Sequence, residues 1–102
     1  MHIKKDMVDP NARRREESSP EAVKLMLEAL GMYQGYLNDR QSSSSSAVER
    51  QEIAEHLSLI DSATTRLNRS LSAEKNGIVY VRITREEASV TLKAVEYMQK
   101  VS

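Results

Sequence analysis

The sequence predicts a mainly α protein: an antiparallel helical hairpin, one short β-strand, and a C-terminal helix packed on the hairpin. Three observations carry this. Apolar residues recur every three or four positions over two long segments, a serine run separates those segments, and Asn76-Gly77 precedes the single strand-like run, Ile78-Val79-Tyr80-Val81-Arg82-Ile83. The 102 residues include no Phe or Trp and four Tyr, so the core is aliphatic and thin, suited to helix packing.

Residues 1–18 carry charges of both signs, Pro10 and no sustained period, with Arg13-Arg14-Arg15 running straight into Glu16-Glu17. They read as a mobile arm. Residues 3–8 are the one weakly apolar stretch in it that could lie beside the strand. The domain proper is then residues 19–102.

Ser19-Pro20-Glu21 starts the first helix, over residues 19–40: a capping oxygen, a proline at the first turn and an acid at the positive end of the dipole. Val23, Met26, Leu30, Tyr33 and Leu37 form its stripe, widened by Leu27. Gly31 and Gly35, one turn apart beside that stripe, predict close approach of another helix rather than a kink. Ser42 to Ser46 is a polar linker, residues 42–46, that turns the chain back.

Ser46-Ala47-Val48-Glu49 reads as a capping box opening the second helix, residues 46–73. Ile53, Leu57, Ile60, Thr64, Leu67 and Leu71 then repeat alternately at four and three, the seam of an antiparallel hairpin. Lys75-Asn76-Gly77 suits the left-handed backbone that ends it. In the strand, residues 78–83, alternation puts Val79, Val81 and Ile83 on the face toward the helices and Tyr80 and Arg82 on the other. Thr84-Arg85-Glu86-Glu87 is another capping box, opening a last helix over residues 84–101. Its expected core stripe is Ala88, Leu92, Val95, Met98 and Val101, flanked by Val90, Ala94 and Tyr97.

Chemistry is sparse in this chain. His56, with Glu52 four residues earlier, could share a metal, but three or four ligands are normally needed and no second His lies nearby, so it reads as a boundary histidine. No Gly-x-Ser-x-Gly elbow, phosphate-binding loop or dinucleotide fingerprint is present. The pairs Glu16-Glu17 and Glu86-Glu87 fall in the arm and in a helix's first turn, where the dipole favours anions. No catalytic, cofactor-binding or metal-binding residue is assigned, and no cofactor is expected. With no Cys, no secretory h-region in Met1-His2-Ile3-Lys4-Lys5-Asp6 and no apolar run long enough to span a bilayer, the expected location is the cytoplasm.

Fifteen basic residues balance fifteen acidic ones, which argues against a general polyanion binder. A lone strand must find a pairing partner. The sequence therefore points to a non-catalytic interaction or regulatory protein of adaptor or inhibitor type, of bacterial or phage kind. Its expected interface is Val79, Tyr80, Val81, Arg82 and Ile83, its expected state a homodimer joined through the strand, and its expected partner a protein of unknown identity. The alternative is a dimeric DNA-binding transcriptional regulator contacting phosphates through Arg13, Arg14, Arg15 and Arg82.

The strand-then-helix unit over residues 79–98 resembles the opening of ribbon-helix-helix repressors, whose strands pair across a dimer and enter the major groove. The resemblance implies that Tyr80 and Arg82 are the outward readers. It covers about a quarter of the chain with a motif that is not specific, and it fails where that family continues into a second helix, since this sequence stops at Ser102.

Overall fold

The computed structural model describes residues 14–101. The order is β1 (Arg14–Ser18), α1 (Pro20–Ser43), α2 (Ala47–Ser72), β2 (Val79–Ile83) and α3 (Arg85–Val101). The mainly α architecture with its helical hairpin is as the sequence predicts, and one strand is added to it. β1 pairs antiparallel with β2, from Arg14 opposite Ile83 to Ser18 opposite Val79. The last part of the expected arm is thus ordered sheet, and β2 takes a partner from its own chain, where the sequence pointed to a second copy or to residues 3–8. Those residues lie outside the described ones, as do His2 and Arg13.

Local chemistry accounts for each boundary. The Ser19 hydroxyl accepts from the Ala22 N–H at 3.1 Å with Pro20 at the first turn of α1. Ser42 and Ser43 continue α1, so the serine linker shortens to Ser44–Ser45–Ser46. Ser46 caps α2 by accepting from the Glu49 N–H at 3.2 Å. The other half of the expected box is relayed: the Ser46 N–H donates to Ser44 Oγ at 3.2 Å, and that hydroxyl donates to Glu49 Oε1 at 2.7 Å. At the far end of α2, Asn76 and Gly77 both have positive φ, 55° and 79°, and Lys75 and Ile78 exchange two backbone bonds of 3.0 Å across them. This is the two-residue turn that such a pair favours.

The core runs through Val23, Leu30 and Leu37 of α1, Ile53, Ile60, Ala63 and Leu67 of α2, Val79 and Val81 of β2, and Val90 and Ala94 of α3. Gln34 Nε2 donates to Asp61 Oδ1 at 3.3 Å and Gln41 Nε2 to the Arg50 carbonyl at 3.2 Å, which ties α1 to α2 as an antiparallel pair.

Two expectations are corrected. A Cβ built on Gly31 or Gly35 meets nothing within 4 Å, so neither glycine admits a neighbouring helix among the described residues. The second correction is the rotation of α3. Its buried residues are Glu87, Val90, Thr91 and Ala94, whereas Leu92 is 60 % exposed and Ala88 and Val101 are also exposed. The physical reason lies in the first turn, where Glu87 faces inward. Positions three, four and seven residues after it then follow it inside.

Candidate interaction surface

β2 leads into α3 through Thr84 alone, and β1 leads into α1 through Ser19 alone, so the sheet sits where α1 and α3 begin and α2 ends. Val79 is wholly buried and Val81 is 7 % exposed, while Tyr80 and Arg82 are exposed and Ile83 is half-buried. Of the five residues expected to form an interface, the two valines belong to the core. The outward pair, Tyr80 and Arg82, is exposed, with exposed Glu17 opposite Tyr80.

The register also sets beside each other residues that the sequence assigned separately to the arm and to the strand. Arg15 is the rung partner of Arg82, and Arg14 is the next rung, opposite Ile83. The missed element was β1 itself. Arg-Arg-Glu-Glu-Ser has no apolar residue and no alternation, and the signal that could have found it is position: it precedes a strong helix cap, as Ile83 precedes Thr84.

Behind the sheet, Glu87 carries the densest polar contacts. Its Oε1 accepts from the Thr84 N–H at 2.9 Å while Thr84 Oγ1 accepts from the Glu87 N–H at 3.1 Å, completing the predicted capping box. Its Oε2 accepts from Arg66 Nε at 2.9 Å. Burial pushes this carboxyl up, but the Thr84 backbone bond, the Ser62 hydroxyl and the Arg66 guanidinium together outweigh it and hold it below the ordinary value of 4.5. A carboxylate held this way starts α3 and ties it to Arg66 of α2.

The opposite end of the bundle is knit by Arg40, which donates to Tyr36 Oη at 3.2 Å and to Glu49. The Ser44 hydroxyl first, then Arg40, hold Glu49 below its ordinary range. Tyr33, Tyr36 and Tyr97 stack there, with ring centroids 4.7 to 6.0 Å apart, and fasten α3 to α1.

His56 Nδ1 lies 3.0 Å from the Glu52 carbonyl oxygen, a contact along its own helix. Among the described residues no three His, Asp or Glu side chains are grouped to hold a metal ion. A depression of about 110 Å³ lies between His56 and Leu59 of α2 and Glu86, Ser89, Val90 and Lys93 of α3. Another of about 280 Å³ is lined by Ser62, Thr65, Arg66 and Arg69. The first is well below the roughly 300 Å³ at which small-molecule sites begin, and the second is close to it. No helix among the described residues is long and apolar enough to cross a membrane. Comparison with protein-family models, curated proteins and solved structures finds no match for this chain.

Proposed function

We propose that this is a non-catalytic, cytoplasmic interaction protein of adaptor or inhibitor type, which binds protein and self-associates as a homodimer. The observation that most supports this reading is the sheet. It has only two strands among the described residues, and its outer face carries exposed Tyr80, Arg82 and Glu17. Tyrosine and arginine are the residue types that dominate binding energy at protein interfaces. Sedimentation of the chain with Tyr80→Ala and Arg82→Ala variants tests the reading. Weaker association in the variants supports it, and association untouched by both places the contact elsewhere.

A second reading, a dimeric DNA-binding regulator, gains support from one observation: the ladder sets Arg15 opposite Arg82. A two-stranded ribbon has the width of the major groove. Binding to a labelled DNA pool over a salt series separates the two readings, because phosphate contacts make affinity fall steeply with salt. Affinity that is weak and independent of sequence leaves the protein-binding reading in place.

A further inference from the structure

We infer that the depression lined by Ser62, Thr65, Arg66 and Arg69 of α2 is an oxyanion site that takes one phosphate monoester group. None of these residues belongs to the outer face of the sheet, so the site is independent of the self-association proposed above.

Residues three and four apart share one helix face, so the order Ser62, Thr65, Arg66, Arg69 sets two hydroxyls and two guanidinium groups side by side. The lining includes no acidic and no aliphatic residue, and the volume is about 280 Å³.

Arg66 is held from behind. Its Nε donates to Glu87 Oε2 at 2.9 Å, and Glu87 is itself fixed by the Thr84 N–H in the capping box. That bond occupies a single guanidinium donor, and those on the two terminal nitrogens have no partner among the described residues. A guanidinium placed this way loses little freedom when it binds a ligand. Arg69 is exposed and makes no ion pair or side-chain hydrogen bond among the described residues. Glu87 offsets the charge of Arg66 alone, so the pair keeps a positive excess beside the first turn of α3, the positive end of that helix dipole.

The hydroxyls differ in what they offer. Ser62 Oγ donates to the Leu59 carbonyl at 3.2 Å and also supports Glu87, so it forms wall. Thr65 Oγ1 donates to the Asp61 carbonyl at 3.0 Å, an oxygen that also serves the backbone ladder of α2, so this hydroxyl can turn to an incoming anion without orphaning a carbonyl.

The donor set selects the class of anion. A carboxylate is filled by one arginine fork, whereas a phosphate monoester presents three oxygens and roughly two negative charges, which suits two forks one turn apart. A phosphodiester in duplex DNA carries less charge and fewer free oxygens, and uses the pair less fully.

The test titrates the full chain with inorganic phosphate by calorimetry, with chloride holding the ionic strength constant. One saturable site is expected, with a melting midpoint that rises with phosphate and not with chloride. Arg69→Gln alters an exposed residue and is expected to weaken binding about tenfold or more, with circular dichroism and melting in chloride unchanged. Arg66→Lys keeps a charge for Glu87 but loses the fork, and is expected to weaken binding by a similar factor. Lys24→Gln removes an exposed positive charge from α1 and is expected to leave affinity within about twofold. Blocked phosphoserine, titrated in parallel, separates two sources of the same group. Equal affinity makes free phosphate sufficient, and affinity about tenfold higher makes a phosphorylated side chain the ligand.

No saturable phosphate binding, or binding that Arg69→Gln leaves unchanged, would overturn the site and leave self-association standing. A labelled DNA duplex that binds through Arg69 when phosphate does not would also overturn it, and would pass these arginines to the DNA-binding reading.

Discussion

Arg66 of α2 and Glu87 of α3 meet through a 2.9 Å charge-assisted bond, and Glu87 is only 3 % exposed. The same carboxylate closes the Thr84 capping box, so one side chain both starts α3 and fixes its rotation on α2. Removing either partner leaves the other charge with reduced compensation near the interior, which is the expensive way to break such a pair. Glu87→Ala is expected to cost about 2–4 kcal/mol in denaturant unfolding. Arg66→Met keeps the packing of the stem yet strands the carboxylate, and is expected to cost about 1–3 kcal/mol.

Acid should find the same residue. The Glu87 carboxyl is held below 4.5, so its ionised form contributes stability above the unfolded value, and that contribution is lost as pH falls through the folded value. Thermal melts from neutral pH into acid are expected to show wild type losing stability below the ordinary glutamate range. Glu87→Gln starts lower and should fall less steeply. Parallel pH curves for the two proteins would assign the acid sensitivity to other carboxylates, Glu49 first among them.

Gly31 and Gly35 lie in open space in the interior of α1. Replacing each by alanine removes backbone freedom from the unfolded chain with nothing to clash, and is expected to stabilise by about 0.5–1 kcal/mol per site. Unfolding midpoints of the single and double variants check this. A loss of stability at either position would mean that the helix geometry there depends on glycine.

Leu92 and Val90 invert the order that hydrophobicity alone would give. Leu92→Gln is expected to change stability by no more than about 0.5 kcal/mol, because the side chain is mostly in water. Val90→Ala is expected to cost about 1–3 kcal/mol, because that side chain is 1 % exposed. Equal costs would show that α3 is rotated from the position described.

These cases mark what the sequence can carry. The helix caps at Ser19, Ser46 and Thr84, the turn at Asn76-Gly77 and the inward faces of β2 were legible because each depends on a few adjacent residues. The rotation of α3 was not, since Leu92 outranks Ala94 on any hydrophobic scale and two partners of the inward Glu87, Ser62 and Arg66, lie on a different helix. Nor was β1, whose charged residues follow no strand pattern and whose pairing spans most of the chain. The outward residues Tyr80 and Arg82 followed from alternation, whereas their grouping with Arg15 required the ladder. The ladder carries a stability expectation of its own: deleting residues 1–18 strips the partner from β2 and is expected to lower the melting midpoint, whereas loss of an idle arm would leave it unchanged.

The central claim, self-association of a small binding module through its sheet, is met most directly by sedimentation equilibrium of the wild-type chain over a wide concentration range. A reversible transition from the 11.5 kDa monomer to a species of twice that mass is the predicted result. A single 11.5 kDa species at every concentration would contradict it.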